Sequence, residues 1–145
     1  MATYQLGATL SGSGPVNRAL CVLDGDNVLE LKELRGVARA KDGKIYGGGD
    51  GPLEPTLPTA MNFFYFAGDF FGPLAADGEK FFSRWSGGEW GLPGAVSRLI
   101  GKKMISMGAA AVGGPWCGVT YGSDGPAVER AIGETYGAAP LWRNA

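Results

Sequence analysis

The stretch Ala19-Leu20-Cys21-Val22-Leu23-Asp24-Gly25-Asp26-Asn27-Val28-Leu29-Glu30-Leu31-Lys32-Glu33-Leu34 decides the fold. Two β-prone runs, Ala19 to Leu23 and Val28 to Leu34, flank a turn of Asp, Gly and Asn. A turn of this composition joins antiparallel strands into a hairpin. In the second run Leu29 and Leu31 alternate with Glu30 and Lys32, the period of a half-buried strand. The segment is too short to hold a helix of normal length plus a strand, so it conflicts with a β-α-β start.

Working outward, Tyr4, Leu6, Ala8 and Leu10 share one face of an alternating run from Thr3 to Ser11, a further strand. Ser11-Gly12-Ser13-Gly14-Pro15 is a turn by composition. A weaker hairpin is expected from Val37–Ala40, Asp42-Gly43 and Lys44–Tyr46. Gly47 to Pro58 reads as a loop, since Pro52, Pro55 and Pro58 forbid a regular helix. Met61 to Ala67 is nearly continuous apolar sequence, fitting a strand buried on both faces. Helical patterns follow. Pro73 to Trp85 predicts a helix interrupted at Gly78. Pro93 suits the first turn of a helix through Arg98 to Lys103, with Ala95, Val96, Leu99 and Ile100 at helical spacing. Met104–Met107 either ends that helix or starts a buried strand. In the last helix Ser123 or Asp124 caps, Pro126 occupies the first turn and Glu129 favours the positive end. Ala127, Val128, Ala131, Ile132 and Thr135 form its inner stripe, Gly137 stops it, and Leu141 and Trp142 anchor the tail. The expectation is one domain, residues 1–145, β-rich over 1–67 and helix-rich over 73–145. Its class is α+β, with an antiparallel N-terminal sheet packed against C-terminal helices.

Composition narrows the chemistry. The chain has 145 residues, 45% of them hydrophobic, a formal net charge of −1 and no histidine. That balance argues against nucleic-acid binding driven by bulk charge and against a disordered chain. Without histidine the commonest general base, metal ligand and pH switch are missing, and a Ser/His/Asp or Cys/His arrangement is impossible. Cys21 and Cys117 form neither a disulfide framework nor a zinc motif; both are expected as buried free thiols. No signal-peptide pattern is visible at Met1–Leu10. The uncharged run Met104 to Ser123 is broken by glycines and suits a membrane span poorly.

Few residues suggest a site. Asp24 and Asp26 belong to turn chemistry; Arg35 occupies the twelfth position where a calcium loop needs Glu. Asp77 and Glu79 flank Gly78 and are expected in solvent, as is the short Lys102-Lys103 pair. No metal site is expected. Ser11, Gly12, Ser13 and Gly14 could turn N–H groups toward an anion, although the turn lacks the Lys of a P-loop and the G-x-G-x-x-G spacing. The aromatic residues carry the sharper signal. All seven phenylalanines, with Tyr65, Trp85 and Trp90, lie between Phe63 and Trp90. Rings dominate interface energetics, so Phe70, Phe71, Phe81, Trp85 and Trp90 are candidate contacts for protein partners or further copies of the chain. The function expected is a non-catalytic structural or interaction subunit without a cofactor, in a larger assembly such as a virus particle's shell, neck or tail.

A second reading comes from a partial resemblance. Phe63–Ala67, Phe71-Gly72, Phe81-Phe82-Ser83-Arg84 and Gly87-Gly88-Glu89-Trp90 occur in that order. Gly94-Ala95, Gly101-Lys102 and Gly113-Gly114 follow. Over residues 63–137 this order resembles the flavodoxin-like NAD(P)H:quinone reductases of the tryptophan-repressor-binding type. The resemblance implies an α/β doubly wound parallel sheet binding FMN at the strand ends. The chain departs from the family's Pro-Thr at Gly68-Asp69, and from its hydroxyl residues and His at Gly108-Ala109-Ala110-Ala111, the groups that would hold flavin or quinone.

Overall fold

The computed structural model describes residues 1–49, 51–114 and 116–137. Leu141 and Trp142 lie outside the described residues. Among these residues seven strands form one curled sheet: β1 (Ala2–Gln5), β2 (Val16–Asp24), β3 (Asn27–Arg39), β4 (Ile45–Tyr46), β5 (Pro52–Leu53), β6 (Pro58–Ala60) and β7 (Ala110–Ala111). Their order is β5-β4-β3-β2-β6-β1-β7. Among the described residues three helices accompany them: α1 (Phe71–Phe82), α2 (Leu92–Gly101) and α3 (Gly125–Tyr136). The class is α+β. Every strand pair is antiparallel except β1 with β7, so the parallel doubly wound sheet implied by the flavodoxin resemblance is not formed.

The β2–β3 hairpin organises the rest. Asp24 pairs with Asn27, leaving Gly25 and Asp26 as a two-residue turn. Gly25 has φ +56°, and a glycine at the first central position gives a turn whose twist matches its strands. β3 is longer than its pattern suggests, and the two expected runs Val28–Leu34 and Val37–Ala40 are one strand. It buries every third residue, Val28, Leu31, Leu34 and Val37. A regular strand repeats every second residue. The difference comes from two bulges: Val22 and Leu23 face Glu30 and Val28, and Arg18 and Val16 face Leu34 and Val37. Each bulge inserts one extra residue into β3 and restores the side-chain face. In the second, Gly36 takes φ +66°, and its N–H donates to Asn17 Oδ1 at 3.2 Å.

Between the bulges the parity is regular, so Leu31 and Leu34 point to opposite faces. One strand therefore feeds two cores. On one face Ala19, Cys21, Val28 and Leu31 pack with Ala60, Phe70, Val96, Leu99 and Met107. On the other, Val16, Leu34 and Val37 pack with Leu6 and Ile45. Helix α2 closes the first core. Its Ala95, Val96 and Leu99 are buried, and Ser97 Oγ accepts the Leu31 N–H at 3.0 Å. The helix ends at Gly101; Lys103, expected inside it, has φ +56°. The segment beyond it joins two strands. Val28 N–H donates to Met107 O, Ala109 N–H to Asp26 O, and Ala110 N–H to Met1 O.

Several local expectations are corrected. Thr3 to Ser11 is not one strand; a 3-10 turn at Leu6–Ala8 follows β1. The loop Gly47–Pro58 contains β5 and starts β6. Met61–Ala67 is not a strand buried on both faces: the ladder stops at Ala60, and Asn62 turns left-handed at φ +58°. Its rings still alternate. Phe64 and Phe66 point inward, whereas Phe63 and Tyr65 are exposed. Helix α1 runs through Gly78 without interruption. No residue of α3 is buried; its expected stripe is at most half-buried, because the helix is held at its N-terminus. Cys117 is exposed, and both thiols are free.

Two glycine substitutions test this account in opposite directions. A Cβ on Gly78 would meet Trp90 at 3.6 Å, ordinary contact distance, so Gly78→Ala is expected to stabilise by about 0.5–1 kcal/mol through helix propensity. Gly36→Ala has open space but keeps the positive φ; it is expected to cost about 1–2 kcal/mol. Urea unfolding midpoints check both.

Candidate functional site

Helix α1 sits against α2 through a buried charge as well as through apolar contact at Leu74. Its inward positions are Leu74, Asp77, Gly78 and Phe81, at helical spacing, and of these Asp77 and Gly78 are the buried ones. The Asp77 side chain is 5% exposed. Arg98 Nε donates to its Oδ1 at 3.1 Å and Arg98 Nη2 to its Oδ2 at 2.6 Å, a bidentate fork. Trp90 Nε1 donates to Oδ2 at 3.0 Å, and Lys102 Nζ lies 3.9 Å from Oδ1. The Arg98 hydrogen bonds hold the Asp77 carboxyl below its usual range, against burial, with Trp90 helping. The expectation of a solvated Asp77 is thus overturned; Glu79, one turn-face away, is exposed.

Above this anchor lies a cavity of about 380 Å³ between α1, the 83–88 loop and α2. Lys80, Arg84, Arg98 and Lys102 line it with Asp77, and Phe81 and Trp85 supply its rings. Trp85 Nε1 donates to Gly88 O at 3.1 Å, which ties the indole to the loop. Four cations against one carboxylate make the cavity electropositive, and the carboxylate is already engaged.

The five expected contact rings divide. Phe70 is 4% exposed and belongs to the core. It stacks on Phe66 at 3.7 Å between centroids, and Phe66 on Phe64 at 5.5 Å. Phe70 is therefore not a surface ring: the left-handed Asn62 and the 3-10 turn Gly68–Phe70 fold the aromatic run back on itself. Phe81 and Trp85 line the cavity, and Trp90 backs its anchor. Phe71 is exposed in the first turn of α1. Lys80, Arg84 and Arg98 escaped the sequence reading. The signal available was their spacing, since Lys80 with Arg84 and Arg98 with Lys102 are each four apart on a helical pattern. Nothing local shows that the two pairs converge.

The Ser11–Gly14 turn does meet an oxyanion, one from its own chain. Asp124 Oδ1 accepts from Ser11 Oγ at 2.8 Å, and Oδ2 from the N–H groups of Thr120 and Tyr121 at 3.1 and 2.9 Å. Ser123 Oγ donates to Ser13 Oγ at 2.7 Å, and Tyr121 hydroxyl donates to Pro15 O. The Ser13 hydroxyl, then the Tyr121 N–H, Ser11 and Thr120, pull the Asp124 carboxyl down to about 2. The turn's hydroxyls are spent on docking α3.

Two further groups look reactive and are structural. Arg18 is 8% exposed. Its Nε donates to Thr9 O at 3.0 Å, its Nη1 to Asn17 O at 2.7 Å, and its guanidinium lies 5.3 Å from the centre of the Trp116 ring. Carbonyls and a ring face, not a carboxylate, satisfy this cation. Burial pushes the Cys21 thiol up to about 11, which leaves it inert as a nucleophile near neutral pH. Among the described residues no group of three or more Asp, Glu, Cys or His could hold a metal ion, and no described helix is long and apolar enough to cross a membrane.

Two predictions follow from the anchors. Asp124 is depressed in the folded chain, so its contribution is full above the unfolded carboxyl value of about 4 and is lost as pH falls toward about 2. Acid should therefore undock α3 across that window, and Asp124→Asn should remove this step from a titration followed by far-ultraviolet circular dichroism. Asp77→Asn should destabilise by roughly 1–2 kcal/mol, limited because Arg98 is partly in solvent, as read from denaturant midpoints.

Compared with protein-family models and with curated proteins, the chain matches none, so the chemistry of these residues has to carry the functional reading.

Proposed function

We propose that the chain is a non-catalytic subunit of a larger protein assembly, joined through rings its own core leaves uncovered. The observation that carries this reading is the exposure of five aromatic side chains within residues 63–85. Phe63 is 68% exposed, Tyr65 86%, Phe71 59%, Phe82 60% and Trp85 59%. Exposed rings of this number mark contact surfaces, because each removes a large apolar area from water when covered. The inward rings of the same segment are already stacked in the core, so the outward ones are surplus to folding.

The chemistry of the chain supports a binding role over catalysis. Histidine is absent, the buried carboxylates Asp77 and Asp124 are engaged by donors, and the buried thiol is held protonated. Partners of this surface are protein, either a further copy of the chain or another subunit, as in the shell, neck or tail of a virus particle. A net charge of −1 gives no general attraction for nucleic acid.

Light scattering after size exclusion tests the reading. The chain is expected to self-associate with rising concentration, and Phe71→Ala and Trp85→Ala to weaken association about tenfold or more. Their unfolding free energies should stay within about 0.5 kcal/mol of the parent, as for surface sites. A protein that stays monomeric at concentrations on the order of 1 mM overturns it as a self-assembling subunit.

A further inference from the structure

We propose that the cavity between α1 and α2 binds a small phosphate monoester carrying a planar ring. This goes beyond the assembly role and does not depend on it, because the cavity is complete within one chain. Its volume of about 380 Å³ falls in the range of small-molecule sites, and it is too large for an inorganic anion alone.

The charge arrangement selects the anion. Among the described residues Asp77 is the sole carboxylate in ion-pair range of these cations, and it reaches Arg98 and Lys102. Lys80 and Arg84 line the same cavity with no ion pair among the described residues. The lining carries three positive charges in excess; a carboxylate from a ligand would leave two of them uncompensated, a phosphoryl dianion one. Arg98 is preorganised for the task. Asp77 takes its Nε and one Nη2 hydrogen, which fixes the guanidinium plane and leaves Nη1 and the outer Nη2 hydrogen as a second fork. Arginine held this way recognises phosphoryl oxygens by two parallel hydrogen bonds. Lys80, Arg84 and Lys102 add point charges around the same spot.

The remaining wall selects the organic part. Phe81 and Trp85 flank the cations, and the Trp85 indole is tied by its N–H to Gly88 O. A ring-bearing ester can place its phosphoryl group on the cations and its ring against these side chains. An aliphatic phosphate would leave that wall wet.

Isothermal titration of the full chain with phenyl phosphate, inorganic phosphate and benzoate tests each half. Phenyl phosphate is expected to bind about tenfold more tightly than either of the others, and to weaken at roughly 0.5 M salt. The double variant Lys80→Gln/Arg84→Gln changes two exposed side chains and is expected to lose about tenfold or more in affinity with its thermal midpoint unchanged. Phe71→Ala, outside the cavity, is expected to keep full affinity, so a failure of the assembly reading leaves this result intact. No heat from phenyl phosphate up to about 10 mM, equal affinity for all three anions, or an unaltered double variant overturns the proposal.

Discussion

The structure depends on a parity constraint in β3. Without its two bulges, Val28 and Leu31 would point to opposite faces, as would Leu34 and Val37, and neither core would close. With one extra residue in each half, Val28 and Leu31 serve the α2 side while Leu34 and Val37 serve the Leu6 and Ile45 side. The single switch of face falls between Leu31 and Leu34. A short chain with little room for separate layers thereby uses one long strand as the wall of two cores. Bulges also increase local twist, which suits the curl of the sheet around them.

The described helices are attached in three different ways, and this sets which surfaces stay open. Helix α2 is held by apolar burial against β3. Helix α1 is anchored by one buried carboxylate gripped by Arg98 and Trp90, and α3 by Asp124 docked on the Ser11–Ser13 turn. Anchoring by a carboxylate leaves much of each helix surface free. On α1 that freedom exposes Phe71 and Phe82 and opens the cationic cavity; a helix of this composition held by its rings would have neither. The unfavourable step of burying Asp77 is offset because Arg98, Trp90 and the nearby Lys102 all supply positive or donor groups.

The aromatic run divides into inward and outward rings. Phe64, Phe66 and Phe70 stack inward and complete the first core; Phe63, Tyr65 and Phe71 face out. Sequence crowding of rings between Phe63 and Trp90 thus divides into rings spent in the core and rings left in solvent. The proposed contact surface and the proposed ligand cavity share Trp85 but differ in their other members, which makes them separable by substitution.

Local signals in the sequence determined the Asp24–Asn27 hairpin, the α+β class, the start of α2 at its proline, and α3 between Asp124 and Gly137. Each rests on turn chemistry, apolar spacing, a proline in the first turn or a left-handed glycine stop, all acting between near neighbours; the expected side-chain cap of α3 is not made, because the Asp124 carboxylate turns to Ser11, Thr120 and Tyr121 instead. The single length of β3 was hidden because bulges convert a period of two into an apparent period of three. The site was hidden for a related reason. Trp90 and Arg98 lie 13 and 21 positions from Asp77 along the chain, and Ser11 and Asp124 lie 113 apart. Short-range periodicity carries no information about such pairs. Which carboxylates are buried, which rings are spent in the core, and which cations converge on one cavity were decided by tertiary packing, of α1 on α2 for Asp77 and of α3 on the Ser11 turn for Asp124, since desolvation there forces each charged group to find its partner.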